Sequence, residues 1–255
     1  MKISGIDMNY DKLIDDIVAW LREQVQKSGS KGLLVGVSGG VDSAVVACLI
    51  HRAMPKDSLG VILPIKSSAN SLEDARKLVD KEGINNITID LTDEHESILK
   101  KTVSALKDAD MLKDDYVKIT DANLRARLRM SALYAAANDL GYMVVGTDNV
   151  EETYTGYFTK YGDGAVDILP LKTVSKKEIY EMAKILGVPS SIIKKAPSAD
   201  LWENQTDEAE MGVSYDAIAK YIAGEQVSEN DSETIQALHR KSEHKRNPIP
   251  FFDRT

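Results

Sequence analysis

Apolar residues recur along the chain with two spacings, and each spacing predicts elements. Ile14, Ile17, Val18, Leu21 and Val25 repeat at i, i+3, i+4 and i+7, which predicts an amphipathic helix over 10–28 that Ser28-Gly29-Ser30 breaks. Residues 32–37 (GLLVGV) form a short continuous apolar run, read as a buried strand, and Ser38-Gly39-Gly40 leads at once into a helical run over 42–54. A second strand is predicted at 59–63, a helix at 71–82 with Leu72, Ala75, Leu78 and Val79 inward, and a third strand at 86–90. Helices over about 92–107 and 121–140 precede a fourth strand at 142–145. Beyond residue 155 the pattern weakens to a Gly-rich stretch at 162–164, one helix over 175–186 and polar segments. The acid-rich residues 197–212 read as a mobile loop over a site.

Short apolar strands alternating with helices predict an α/β fold, a Rossmann-like open parallel sheet with helices on both faces. Ligands of such sheets bind beyond the carboxyl ends of the strands, where this chain carries polar loops at 38–43 and 146–152. At 255 residues, with nothing resembling a linker, the chain reads as a single domain over 1–255. The apolar run over 44–50 is seven residues, far below the ~20 that span a bilayer, and the N-terminus has no apolar signal stretch. A lone cysteine, Cys48, excludes an internal disulfide and a Cys-built metal site, so a cytoplasmic protein is expected. With 32 Lys+Arg against 40 Asp+Glu the net charge is −8, which argues against a nucleic-acid partner. Any anionic ligand must then meet locally concentrated positive charge.

Ser38-Gly39-Gly40-Val41-Asp42-Ser43 sits between a strand and a helix. Adjacent glycines let the backbone turn tightly and present N–H groups to an anion, and the helix N-terminus adds partial positive charge. The loop lacks the Lys of GxxxxGK[ST] and the spacing of GxGxxG, so neither common nucleotide fingerprint applies. Ser38 and Ser43 can donate to phosphate, and Asp42 can hold Mg²⁺. Taking 121–140 as a helix puts Leu124, Leu128, Ala132 and Ala135 on its buried stripe, with Arg125 and Arg129 along one border and Asn123 and Arg127 along the other. Such arginines suit carboxylate or phosphate recognition. Ser175 and Glu178 have capping-box spacing, which leaves Lys176 in a helix first turn, a poor place for a cation unless an anion is near. Cys48 falls on the apolar helix after the loop and reads as core.

SGGVDS resembles the signature of the ATP pyrophosphatases, which split ATP into AMP and pyrophosphate while adenylating a substrate. The run from Asn123 through Arg125, Arg127 and Arg129 to Met130, then Gly146-Thr147-Asp148, the 156–164 block GYFTKYGDG and the closing His244-Lys245-Arg246 are similar to NAD synthetases over nearly the whole chain. That resemblance implies an adenine nucleotide alpha hydrolase-like fold and an ammonia-dependent amide ligase. Its substrates would be deamido-NAD, ATP and ammonia, with Mg²⁺ as cofactor and a homodimer as the assembly. It implies ATP contacts at Gly36, Val37, Ser38, Gly39, Gly40, Val41, Asp42, Ser43, Thr147, Lys176 and Ser198. It implies deamido-NAD contacts at Arg129, Tyr157, Lys160, Asp167, His244 and Lys245, and Mg²⁺ on Asp42 and Glu152. Glu151 is equally placed by spacing alone, and only the family pattern selects Glu152; Asp148 stays open between site and scaffold. Tyr157 and Phe158 could stack on a nicotinate ring, and Tyr stands at 157 where many relatives have Phe. Asp163, flanked by glycines, is assigned to ammonia, either positioning it or taking its proton, with an Asx-turn as the structural alternative. Lys176 is assigned to the transition state. Glutamine-using relatives carry an added amidase domain with a Cys nucleophile, so free ammonia is the expected donor. A tRNA-thiolating relative would be basic with paired cysteines, which this chain is not.

Overall fold

The computed structural model describes residues 9–198 and 206–254. Strands β1 (Gly32–Gly36), β2 (Ser58–Ile62), β3 (Asn86–Thr88) and β4 (Tyr142–Val144) form one parallel sheet in the order β3-β2-β1-β4. Strand β1 lies at its centre, and side-chain alternation splits it cleanly. Leu33 and Val35 join the main core, whereas Leu34 points to the opposite face with Ala137 and Val144. Burial on both faces is why its sequence reads as an unbroken apolar run.

On the first face lie α1 (Tyr10–Ser28), α2 (Val41–Ala53), α3 (Ala69–Glu82) and α7 (Lys176–Ile185), whose apolar stripes merge into that core. Asn9 caps α1, and Gly29 closes it in the left-handed conformation. The other face is covered by α5 (Val117–Leu140), against which α4 (Thr92–Asp108) packs. Among the described residues no helix is long and apolar enough to cross a membrane.

Two expectations are corrected. The inward face of α5 carries Ala122, Arg125 and Ala137, while Leu124, Leu128 and Ala132 are half-buried and Ala135 is exposed. An apolar stripe marks a surface that something covers, and here the sheet takes the neighbouring stripe. The polar C-terminal third is also helical, with α8 (Ser190–Ile193), α9 (Asp207–Met211), α10 (Tyr215–Ile222) and α11 (Glu229–Lys241). Residues 207–211 are therefore a helix rather than loop, while 199–205 lie outside the described residues. Met211, Val213, Tyr215, Ile218 and Ile235 form a small separate core there, with Tyr154 and Tyr157 packed on it. Tyrosines with polar tips and one-residue stripes such as Ile235 on α11 gave little periodicity to read.

Candidate active site

The chain runs from β1 outward to β3 and then returns to place β4 on the other side of β1. The crevice beyond the ends of β1 and β4 is the switch point where open α/β sheets bind ligands. A cavity of about 680 Å³ opens there. Its wall includes Gly36, Val37, Ser38, Gly40, Val41, Asp42 and Ser43. The loop shapes itself through its serines. Ser43 Oγ donates to the Gly40 carbonyl at 3.0 Å and accepts from the Ser38 N–H at 3.2 Å, and the two hydroxyls lie 3.0 Å apart. Gly39 stays out of the wall; with φ of +85° it passes beneath the Ser71 carbonyl, and a Cβ there would lie 2.3 Å from that oxygen. Gly39→Ala is therefore expected to cost about 2 kcal/mol or more, about 4–8 °C in Tm by calorimetry, with a raised KM for ATP.

Asp42 stands in the first turn of α2 and reaches across the crevice. Lys176 Nζ donates to Asp42 Oδ2 at 2.6 Å and to Glu152 Oε1 at 3.3 Å, and Asn149 Nδ2 donates to Asp42 Oδ1 at 3.2 Å. Asn149 also caps the short helix α6 (Val150–Thr155). Its Oδ1 accepts the Glu152 N–H at 2.9 Å while Glu152 Oε2 accepts the Asn149 N–H at 3.1 Å. One oxygen of Glu152 thus closes the cap, and the other meets Lys176. Lys176 is 4 % exposed, and burial alone would pull its ammonium pKa down; Asp42 and Glu152 outweigh that and hold it well above the ordinary value. Burial pushes the Glu152 carboxyl up to about 7, against the pull of Lys176. The ill-placed cation of the first turn of α7 has its anions, and they are two carboxylates.

Glu151, one residue earlier, points away. Its oxygens accept the Lys176 backbone N–H at 3.1 and 3.2 Å, so it fastens α6 to the start of α7. Burial raises its pKa to about 7 despite those N–H donors. A carboxyl raised on folding binds extra protons in the native state. Its contribution to stability is present below about pH 4.5 and lost as pH rises through about 7. Glu151→Gln, whose amide oxygen still accepts, should gain several degrees in Tm at pH 8 and none at pH 4, measured by differential scanning fluorimetry. Asp148 is buried in the same wall, its carboxyl held up by burial and by Asp163, Glu152 and Asp42.

The cavity also gathers Thr147, Asp163, Ser198, Arg129, Tyr157 and Lys245. Asp163 Oδ1 accepts the Thr159 N–H at 2.9 Å, four residues back rather than in an Asx-turn. Arg129 Nε donates to the Leu63 carbonyl at 3.0 Å and its Nη2 to Ser67 at 3.3 Å, whereas Arg125 is buried and paired with Asp121 inside the α4–α5 layer. Lys245 Nζ donates to the Gly156 carbonyl at 2.7 Å and lies 5.1 Å from the Phe158 ring centre. The Tyr157 ring packs on the C-terminal core and its hydroxyl donates to Glu210 on α9, a tie that a Phe could not make. Lys160, Asp167 and His244 lie outside the cavity wall. Lys160 Nζ donates to the His244 carbonyl at 2.7 Å. Asp167 accepts the Val144 N–H at 2.7 Å and the Tyr134 hydroxyl at 3.0 Å, which anchors its loop to β4. Reading the sequence missed Asn149, Asp207 and Tyr215, all close to the carboxylate–lysine cluster. Only Asn149 left a signal, the N-x-x-E spacing of a capping box.

A parallel α/β sheet with a Gly-Gly loop opening a helix, two carboxylates and a buried lysine at its switch point is the arrangement of enzymes that handle nucleotide phosphates. A family model described as NAD synthase matches residues 13–249. The NH(3)-dependent NAD(+) synthetase of Alkaliphilus oremlandii (strain OhILAs) is 55% identical over 242 residues, covering 95% of this chain and 97% of the relative. Among solved structures, the NMN synthetase of Francisella tularensis superposes with a TM-score of 0.90 at 38% identity, covering 98% of this chain and all (100%) of that one. The NH3-dependent NAD synthetase of Campylobacter jejuni gives 0.76 at 26% identity, with 96% and 100% covered. The chain belongs to the NAD synthase family.

Proposed function

We infer that the chain is an ammonia-dependent NAD synthetase, an AMP-forming amide ligase that converts deamido-NAD, ATP and ammonia into NAD, AMP and pyrophosphate. What carries the reading is Lys176 seated between Asp42 and Glu152 at the mouth of the phosphate loop, in a chain 55% identical to an enzyme named for that reaction. A nicotinate carboxylate oxygen attacks the α-phosphorus of ATP, the bond to the β-phosphate oxygen breaks, and pyrophosphate leaves. The N–H groups of 38–43 and the Lys176 ammonium receive the charge that moves onto pyrophosphate. Ammonia then attacks the acyl carbon of the mixed anhydride, AMP departs with its bonding pair, and the Asp163 carboxylate takes the proton the nitrogen sheds. No protein nucleophile is required; orientation in the crevice supplies the rate.

Mg²⁺ fits the donor set. Among the described residues no three His, Cys, Asp or Glu side chains gather to hold a metal, and two carboxylates beside a phosphate cradle are what Mg²⁺ uses when it arrives with a nucleotide. Asp42 and Glu152 would hold it, and it would neutralise charge on the transferring phosphates. Thr147 and Ser198 offer hydroxyls to ATP, while Arg129, Tyr157 and Lys245 face the dinucleotide. Lys160, Asp167 and His244 are assigned to its outer part. We take the enzyme to be cytoplasmic, in keeping with its single cysteine, Cys48, being buried and unpaired. The assembly we propose is a homodimer through the α4–α5 layer, where Ile98, Leu106, Met111, Tyr116 and Ile119 are exposed and Leu124, Leu128 and Ala132 half-buried, with a second copy as their cover. Light scattering should return twice the chain mass.

A second reading keeps the chemistry and shortens the substrate to nicotinate mononucleotide, giving NMN; it is favoured by the 0.90 superposition on the F. tularensis enzyme. Purified chain with ATP, Mg²⁺ and ammonium separates the two. NAD formed from deamido-NAD at the higher kcat/KM supports the first, and preference for the mononucleotide supports the second. Product from glutamine without ammonium would overturn the assignment of the nitrogen donor.

A further inference from the structure

Tyr215 is 6 % exposed, and its ring is part of the small C-terminal core, far along the chain from the phosphate loop. Its hydroxyl leaves that core and enters the carboxylate–lysine cluster, 2.9 Å from Glu152 Oε1 and 3.0 Å from Asp207 Oδ2. The two oxygens of Glu152 have different surroundings. Oε2 is tied to the Asn149 N–H, so the cap fixes one end of the carboxylate. Oε1, the oxygen that faces Asp42 across Lys176, has the lysine at 3.3 Å, and that lysine sits closer to Asp42 at 2.6 Å. The nearer partner of Oε1 is the tyrosine hydroxyl. The hydroxyl is itself held in place: the Tyr215 N–H donates to Glu208 Oε1 at 2.9 Å, and the ring lies 4.7 Å from Lys176 Nζ.

We propose that Tyr215 is a positioning residue for the reaction, holding Glu152 Oε1 toward Asp42 and so setting the affinity of the site for its divalent cation. The proposal rests on the assignment of Mg²⁺ to Asp42 and Glu152. A hydrogen bond to Oε1 fixes the torsion of the carboxylate, and groups that orient metal-binding side chains in this way typically change metal affinity 10- to 100-fold when removed. With one proton to give, the hydroxyl donates to Glu152 Oε1 and lies beside Asp207 Oδ2, on the first residue of α9, without donating to both.

Tyr215→Phe tests this, because it keeps the ring in its core and deletes only the hydroxyl. Mn²⁺ binding is followed by electron paramagnetic resonance with α,β-methylene-ATP and no dinucleotide, so that no turnover occurs. The dissociation constant should rise about tenfold, and the Mg²⁺ half-saturation of pyrophosphate release should rise with it. At saturating Mg²⁺, kcat should return to within about threefold of the parent, with KM for deamido-NAD unchanged. Tyr215→Met, which fills the same core without ring or hydroxyl, should show the same shift. Tyr221→Phe, on the same helix but packed against Tyr154, should show none. Unchanged Mn²⁺ affinity in the Phe variant, or a kcat loss that Mg²⁺ does not restore, would overturn the proposal. Glu152→Gln run alongside separates the two levels. If it weakens Mn²⁺ binding and Tyr215→Phe does not, only the tyrosine's role falls; if it leaves Mn²⁺ binding unchanged, the metal assignment falls and the tyrosine's role with it.

Discussion

Converting Asp42 to Asn and Glu152 to Gln together should abolish pyrophosphate release, by a factor of about 10³ or more, while the chain stays folded. The two carboxylates lie on either side of one ammonium, at 2.6 and 3.3 Å, and they come from helices more than a hundred residues apart in sequence. The amides keep the shape but offer one acceptor oxygen each and leave the buried Lys176 ammonium without its counter-charges, so Tm should fall as well, and the assay is run well below the variant's Tm. What the double variant loses is the pair of anionic oxygens that would hold Mg²⁺ against ATP. A metal that neutralises phosphate charge is worth several kcal/mol in the transition state, and about 4 kcal/mol corresponds to the predicted factor. Circular dichroism and Tm report the fold, and a coupled pyrophosphate assay reports the loss.

Lys176→Met should reduce turnover about 10²–10³-fold and also destabilise the protein, in a manner that pH reverses. The turnover loss is that of one preorganised cation facing developing charge. The stability loss follows from burial. Without the ammonium, Asp42 and Glu152 face each other in a site that also holds Asp148 and Asp207. Breaking a buried ion pair by removing one partner costs about 3–5 kcal/mol. Burial already lifts the Glu152 carboxyl to about 7 with the lysine present, so in the variant the cost should be full above that pH and fade below about pH 5 as the acids protonate. Lys176→Arg keeps the charge, but the guanidinium fork does not fit a pocket shaped for a point charge, so it should recover stability more than turnover.

The parts of this site legible in the sequence were those built from local chemistry. Ser38-Gly39-Gly40 after a buried run announced a strand, a tight turn and a helix start, and the structure places them so. Lys176 in a first turn called for an anion nearby, expected to be an ATP phosphate, and the groups the structure sets beside it are the carboxylates of Asp42 and Glu152. Glu151 and Glu152 could not be separated from spacing, because neighbours on a helix differ by about 100° and only the tertiary setting says which direction is the cavity. The capping spacing Asn149-x-x-Glu152 was the available clue. On α5 the apolar stripe was real, but it is only half-buried, and the sheet and α4 take Ala122, Arg125 and Ala137 instead, so periodicity named the wrong inward face. Tyr215 and Asp207 were invisible for a different reason. They act through contacts between α6, α9 and α10, and a tyrosine whose ring is core and whose hydroxyl is site looks like neither in one dimension.

Adenylation of a nicotinate carboxylate in the crevice at the end of β1 can be followed atom by atom with oxygen labelling. Deamido-NAD carrying ¹⁸O in both carboxylate oxygens is turned over with ATP, Mg²⁺ and ammonium, and the products are read by mass spectrometry. Attack of the carboxylate on the α-phosphorus predicts one ¹⁸O in AMP, one retained in the amide of NAD, and none in pyrophosphate. Label appearing in inorganic phosphate beside ADP, or AMP free of label, would contradict it.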